Sequence, residues 1–379
     1  MSKNFCKGAL LSALMGFILF SLIYQMINFL QKIIYDKDRS FFGFFIKVFL
    51  WPISILYSFL VKIILFLYKK RWLKVKTIYK PVISVGNITV GGVGKTPLVI
   101  YIANLLKENG CRPVILTRGY MPRYAKANFS DEVKMLKEEL KDIPIVIGKD
   151  RYASAMNYLD LNNHEEVDVF ILDDGFQQWG LYKDLEIVAI DAKNPWGNNC
   201  LLPSGILREP LSSLKRADFI VLTKTNKSNS DNKLIDHISK YYRKMNSIIK
   251  TEHKISNLVD IKTRDILDID HLKGKVVCAF CSIGDAKYFF DTLLKIGINV
   301  KETFAFSDHH VYNTRDFVKI KNACQDKGID ILITTMKDRV KIDQDKLDLL
   351  ERQKIFCLNI KINITHCKSE FNNGIFSIL

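Results

Sequence analysis

A glycine-rich segment, Thr89-Val90-Gly91-Gly92-Val93-Gly94-Lys95-Thr96, most narrows what this chain can fold into. The β-branched run Pro81-Val82-Ile83-Ser84-Val85 precedes it, and a helical stretch from Thr96 to Asn109, stopped by Gly110, follows. Strand, glycine loop and helix in that order are the setting of a phosphate loop. Glycines let backbone N–H groups turn inward around phosphate oxygens, and the helix N-terminus adds partial positive charge. In such a loop Lys95 reaches the β- and γ-phosphates, and the Thr96 hydroxyl holds Mg²⁺. Thr89 stands where the usual G-x-x-x-x-G-K-[ST] pattern begins with glycine.

The surrounding pattern is that of an α/β chain. Pro113–Thr117, Val167–Leu172, Glu186–Ile190 and Phe219–Thr223 read as strands, and Asp131–Leu140 as a helix rich in Glu and Lys. Strands alternating with helical stretches predict βαβ units and a mostly parallel sheet. Val167-Asp168-Val169-Phe170-Ile171-Leu172-Asp173-Asp174-Gly175 is an apolar strand that ends in two carboxylates. That is a Walker-B-like arrangement, which places acid near Mg²⁺ at the strand's C-terminal end. A second α/β unit starts near Lys275, with strands at Val276–Phe280, Ile331–Thr335 and Ile355–Ile360. The boundary between the two lobes is expected within 224–272.

Charge and hydropathy bring in a membrane. Lys and Arg number 56 against 40 Asp and Glu, a formal net charge of +16. Such an excess points to a polyanionic partner: nucleic acid, an anionic membrane or a phosphorylated substrate. Residues 8–31 carry no charge. As a helix they span roughly 36 Å, enough for a bilayer core of about 30 Å. A signal peptide is the rival reading, since Lys3 and Lys7 precede the run, but no small-x-small cleavage site follows. A second apolar stretch, Phe41 to Tyr68, contains Lys47, Pro52 and Lys62. With a kink at Pro52 it reads as an interfacial or re-entrant helix pair, or else as a second span. Lys69, Lys70, Arg71, Lys74 and Lys76 follow, a cluster that anionic lipid attracts and that marks the cytoplasmic side. The eight cysteines fit a reducing compartment.

At this point the residues resemble a known family. Val85-Gly86-Asn87-Ile88-Thr89-Val90-Gly91-Gly92-Val93-Gly94-Lys95-Thr96-Pro97 is similar to the signature of the tetraacyldisaccharide 4′-kinases, and Leu172-Asp173-Asp174-Gly175-Phe176-Gln177 resembles their acidic motif. Arg118-Gly119-Tyr120, Asp131-Glu132, Leu202-Pro203-Ser204-Gly205, Leu207-Arg208-Glu209-Pro210, Phe280-Cys281-Ser282-Ile283-Gly284, Phe306-Ser307-Asp308-His309-His310 and Thr335-Met336-Lys337-Asp338 follow in the family's order. The resemblance implies a kinase at the bacterial inner membrane, its catalytic lobes on the cytoplasmic face. Such a kinase moves the γ-phosphoryl of ATP to the 4′-hydroxyl of a lipid A disaccharide precursor. It implies a P-loop NTPase-like parallel-sheet core lobe, a smaller C-terminal α/β lobe and N-terminal membrane-associated helices. These are expected at 77–250, 251–379 and 1–76.

The same resemblance assigns roles. Thr89 to Thr96 hold the nucleotide. Lys95 neutralises charge, and Thr96, Asp173 and Glu132 are candidate Mg²⁺ residues. Asp174 helps to orient phosphate. Asp131 with His309 orients and deprotonates the sugar hydroxyl; a carboxylate beside an imidazole is a sensible base arrangement. Arg118, Tyr120, Arg151, Gln178 and Arg208 match substrate- or phosphate-binding positions, where arginine offers a bidentate fork. Three departures stand out. Gln178 replaces the family's frequent His, and an amide cannot carry a proton. Met121 follows Arg118-Gly119-Tyr120 where Gly is usual. Segment 1–40 is additional to the usual short anchor.

Two further motifs carry less. Cys278-x-x-Cys281 lies in an apolar run without a second pair, so it reads as buried thiols rather than a zinc or redox site. Thr335-x-Lys337-Asp338 resembles a purine-reading loop, but Thr replaces the usual Asn and no such role is assigned. The alternative function is a membrane-associated P-loop switch ATPase or GTPase. Val90 stands where partition ATPases carry their signature lysine, which counts against it. A nucleic-acid partner is not expected, because no recognised motif supports one.

Overall fold

The computed structural model describes residues 40–119, 130–162, 164–225, 229–308 and 310–379. The apolar run 8–31, Tyr120, Met121 and His309 lie outside the described residues. The chain divides into two compact units. The smaller holds residues 40–73 of the described chain with 88–90 and 194–213; the larger holds 74–87, 91–193 and 214–379.

In the smaller unit a single helix, α1 (Phe41–Lys69), continues through Pro52. The expected helix pair broken at that proline is therefore not what forms. A proline removes one hydrogen bond and crowds the preceding turn. Several apolar turns on each side keep the helix whole. Ser40 caps it, its hydroxyl accepting from Gly43 N at 3.0 Å. Gly43, Ser54 and Val61 are buried and share one face. Ser54 Oγ donates to the Leu201 carbonyl at 2.7 Å, and Tyr57 OH to the Arg208 carbonyl at 2.9 Å. Phe41, Phe44, Phe49, Trp51, Leu56 and Phe59 stand more than half exposed. By length and composition α1 could cross a membrane.

In the larger unit twelve strands form one sheet among the described residues. They are β1 (Val82–Gly86), β2 (Pro113–Thr117), β3 (Ile145–Ile147), β4 (Val169–Asp173), β5 (Leu185–Asp191), β6 (Phe219–Thr223), β7 (Ile248–Asp260), β8 (Ile266–Leu267), β9 (Val276–Cys281), β10 (Asn299–Ala305), β11 (Ile331–Thr335) and β12 (Lys354–His366). The order is β10-β9-β11-β12-β7-β6-β5-β1-β4-β2-β3, with β8 on β7. Neighbours pair in parallel except β7 with β12 and β7 with β8. Two parallel sheets are thus joined through one long antiparallel pair. β7 pairs with β6 only over Ile248–Lys250, then continues along β12 to Asp260.

Helices cover both faces, as fully apolar parallel strands require. α2 (Lys95–Glu108) buries Leu98, Val99, Ile102 and Leu106 against Ile83, Val85, Ile171 and Ile187. α3 (Asp131–Glu139) adds Leu136 to that core. α4 (Arg151–Leu161) buries Ala155 and Leu159 on the opposite face, against Val82, Leu116 and Phe170. Fully burying one such aliphatic side chain contributes about 1.5–3 kcal/mol. Cys278 and Cys281 are fully buried in β9, as the apolar run predicts.

Candidate active site

The site is built on strand ends. β1, β4 and β2 run parallel in register, Val85 opposite Asp173 and Leu116 opposite Leu172. Their C-terminal ends meet at one edge, the place where α/β sheets bind ligands. A Cβ on Gly86 would come within 2.5 Å of Phe176 Cβ, so only glycine lets the acidic turn pass over the end of β1. Gly94 takes φ 84°, the left-handed region that glycine enters without cost, and α2 starts at the next residue. The loop is braced from β6. Thr223 Oγ1 donates to the Val93 carbonyl at 2.8 Å and Lys224 Nζ to the Gly92 carbonyl at 3.4 Å. Lys224 also pairs with Asp191 at 2.5 Å. Thr89 and Val90 belong to the smaller unit, where Thr89 bridges Leu207 and Val90 N donates to the Ile206 carbonyl at 2.8 Å.

Lys95 Nζ lies 2.8 Å from Asp174 Oδ1 and donates to Asn87 Oδ1 at 3.0 Å. Gln177 Nε2 donates to the Asn87 carbonyl at 2.9 Å, which ties the acidic motif to the residue that steadies Lys95. Asp174 has φ 55°, a backbone region that non-glycine residues seldom adopt and that gathers at functional sites. Asp173 is buried and accepts from Thr117 Oγ1 at 3.2 Å. Burial pushes its carboxyl up to about 6. Lys95 and the Thr117 bond oppose that rise, while the Asp174 and Glu132 carboxylates add to it. Glu132 is therefore close enough to act on Asp173. Arg151 is buried, and its Nη1 donates to the Lys149 carbonyl at 3.1 Å and more weakly to that of Gly148. Burial holds its guanidinium below the ordinary arginine value. Arg118 pushes the same way, against Asp173 and Asp174.

Asp131 and Glu132 open α3, whose cap is Ser130 Oγ, and acidic residues suit that dipole end. Asp131 Oδ2 lies 3.4 Å from Lys341 Nζ. Arg118 follows β2 and is exposed. Gln178 closes the acidic turn through Gly175, and its carbonyl accepts from Lys183 Nζ at 3.2 Å. Arg208 lies in the smaller unit, its N–H on the Ile88 carbonyl at 2.7 Å. Asp308, next to His309, pairs with Lys337 at 2.8 Å.

Among the described residues no three His, Cys, Asp or Glu side chains gather as a metal site. Mg²⁺ that arrives with a nucleotide needs less, one or two carboxylates with waters and phosphates. Thr96, Asp173 and Glu132 are hard oxygen donors, and Asp173 is crowded by like charge that a dication would offset. These residues fit such an ion.

Comparison with known proteins decides among the readings. The family model for tetraacyldisaccharide-1-P 4′-kinase matches residues 46–377. The chain belongs to this family. The tetraacyldisaccharide 4′-kinase of Halothermothrix orenii is 36% identical over 351 residues, covering 84% of this chain and 90% of that protein. That of Elusimicrobium minutum is 34% identical over 363 residues, covering 90% and 93%. The crystal structure of LpxK from Aquifex aeolicus in complex with ATP superposes with a TM-score of 0.66 at 30% identity, covering 88% of this chain and 99% of that one. The P-loop α/β fold is thus common to this chain and a solved member of the family.

Several site residues carry no assigned role in the sequence reading. Asn87 and Gln177 lie inside the quoted motifs, where nearness to Lys95 and Asp174 was their only signal. Thr117 is the last residue of β2, opposite the Asp173 end of β4. His253 on β7 is half-buried beside the loop, 3.7 Å from where a Cβ on Gly94 would stand. Burial, then Lys224, push its imidazole down to about 4, so it is neutral at pH 7.

Proposed function

We propose that this protein transfers the γ-phosphoryl group of ATP to the 4′-hydroxyl of a tetraacyldisaccharide 1-phosphate, a lipid A precursor. The observation that carries the reading is one cluster. Lys95, Asp174 and Asn87 are bonded together, with Asp173 and Glu132 beside them, at the strand edge of a chain that belongs to this kinase family.

Phosphoryl transfer needs positioning, charge neutralisation and removal of one proton. Residues 89–96 cradle the phosphates. Lys95 exchanges Asp174 and Asn87 for phosphate oxygens when ATP enters. Thr96, Asp173 and Glu132 would hold Mg²⁺, which neutralises charge on the β- and γ-phosphates. Asp131 and His309 together take the proton of the 4′-hydroxyl. Arg118, Tyr120, Arg151, Gln178 and Arg208 bind substrate or nucleotide phosphate. We read 77–250 as the P-loop lobe and 251–379 as the smaller lobe. Incubation with labelled ATP and a lipid A disaccharide 1-phosphate, followed by product analysis, tests the reading. A 4′-phosphorylated disaccharide is expected. ATP turnover that ignores the glycolipid would instead mark a switch ATPase.

We also propose that 1–76 holds the protein on an anionic inner membrane, with the catalytic residues on the cytoplasmic face. The exposed aromatic side chains of α1 and the following basic cluster support this. In this reading the Arg208 segment lies beside lipid, since α1 bonds to the carbonyls of Leu201 and Arg208. Deletion of 1–40 should leave binding to anionic vesicles through 41–76. A truncated protein that is soluble, monodisperse and without vesicle affinity would refute this.

A further inference from the structure

Three residues on one face of α3 reach the same short segment of the C-terminal half. Asp131 Oδ2 lies 3.4 Å from Lys341 Nζ, and Glu138 Oε2 lies 3.2 Å from Arg339 Nη2. Between them, Lys134 Nζ donates to the Val340 carbonyl at 3.5 Å. Spacings of three and four put 131, 134 and 138 on one helical stripe. The first of these ties differs from the other two. The Lys341 side chain is only 6% exposed, and its ammonium is held from behind. Nζ donates to Ser282 Oγ at 2.7 Å and lies 3.6 Å from Asp338 Oδ1.

Asp338 is fully buried and collects donors from three separate stretches of the chain. It accepts from Ser282 N at 3.0 Å, from Ser282 Oγ, from Tyr312 OH at 3.1 Å and from Thr335 Oγ1 at 2.6 Å. A buried polar network satisfied in this way is rigid. Lysine has three donors on a flexible stem, with about 2 kcal/mol of rotamer entropy to lose. Here two directions are spent on Ser282 and Asp338, so the stem is already fixed and the ammonium faces Asp131. A buried charge held by a complete network is more than docking α3 requires, since Lys134 and Glu138 already do that.

We propose that Lys341 is a positioning residue for phosphoryl transfer. Anchored on Ser282 and Asp338, its ammonium fixes one carboxylate oxygen of Asp131 and so sets the direction of the other. The proposal rests on the reading of Asp131 as a member of the proton-accepting pair. A base displaced by about 1 Å can lose on the order of 100-fold in rate. Lys341 therefore acts on the chemical step through Asp131.

The test measures kcat and the KM for ATP, with the glycolipid acceptor saturating, for Lys341→Met, Ser282→Ala, Lys134→Met and Asp131→Asn. Lys341→Met should lower kcat about 10- to 100-fold and leave the KM for ATP within about twofold. Ser282→Ala frees the ammonium without removing it and should give a smaller loss in kcat alone. This second variant serves should Lys341→Met fail to fold. Lys134→Met removes a tie of the same helix and should keep kcat within about twofold. Lys341→Met combined with Asp131→Asn should be no slower than Asp131→Asn alone. Wild-type kcat in Lys341→Met or Ser282→Ala, with Asp131→Asn slow, overturns the proposal and leaves the base reading standing. So does an equal loss in Lys134→Met, because then only the docking of α3 matters. If Asp131→Asn raises the KM for ATP and keeps kcat, the base reading itself fails and this inference with it.

Discussion

Two lysines of this chain stand in contrasting surroundings. Lys95 stands at the phosphate-loop edge with 15% of its side chain exposed, paired with an Asp174 that is 39% exposed. Lys341 stands in the C-terminal half, 6% exposed, beside an Asp338 that is fully buried. Solvent reaches the first pair and screens it, so phosphate oxygens can displace its partners at small cost. The second is sealed inside a satisfied network, and any exchange there would strand a buried charge. An ion pair that must open for substrate is built near water; one that must hold geometry is built away from it. The variants below strain that contrast from each side.

The largest effect is expected at Lys95. Lys95→Ala should lower turnover by orders of magnitude, since the charge opposite the γ-phosphate is lost. It should leave the fold intact, because Asp174 keeps access to water. Kinetics beside a thermal melt check both halves of the claim. Near-wild-type phosphorylation would sink the phosphate-loop assignment.

Next comes the proton. A positioned base contributes about 10²–10⁴-fold, so Asp131→Asn and His309→Ala should each lower kcat within that range and spare ATP binding. If the two act as the proposed unit, the double variant should be little slower than the worse single one. Fully multiplicative losses would show that they work separately.

At the sealed site the expected effect is on stability. Asp338→Ala removes the acceptor of the Ser282, Tyr312 and Thr335 donors and leaves Lys341 without its buried counter-charge. Breaking a buried pair by one partner costs about 3–5 kcal/mol. A clearly lowered urea midpoint is the outcome; an unchanged midpoint would mean that the network closes over the gap.

The contrast also explains what the sequence could reveal. The phosphate-loop edge is local: Gly94, Lys95 and Thr96 are consecutive, and Asp173 ends an apolar run. Period and motif therefore place them directly. The core strands were readable for the same reason, as short β-branched runs with turns between them. β7 was not. Its residues Lys250-Thr251-Glu252-His253-Lys254 are polar, yet they belong to the strand that joins both halves, because pairing with β6 and β12 outweighs local propensity. The Lys341 network was equally hidden. Ser282, Tyr312, Thr335 and Asp338 are scattered over the chain and meet only through the order of β9, β11 and the segment after it. Thr335-x-Lys337-Asp338 resembles a purine-reading loop, and burial of Asp338 gives it another part to play.

The smallest expected effect is a pH dependence at the open edge, carried by Asp173. Its carboxyl is pushed up to about 6, by burial first and then by Asp174 and Glu132 against Lys95. A group whose value is higher in the folded protein binds its proton more tightly there. Its contribution to stability is therefore present at low pH and is lost as pH rises through about 6. In the proposed role Asp173 would hold Mg²⁺ with ATP in its ionised form, so that proton and cation would compete for this oxygen. Above about pH 6 the apparent affinity for Mg²⁺–ATP should be insensitive to this group. Below it, affinity should fall up to about tenfold per pH unit, one proton being displaced per cation bound. In Asp173→Asn that acid limb should vanish and affinity should be low at every pH. The measurement is kcat/KM for ATP across roughly pH 5–8, with the glycolipid saturating. Should the limb survive in Asp173→Asn, another group carries it, and Asp173 is a buried support for Thr117 rather than a metal-site residue.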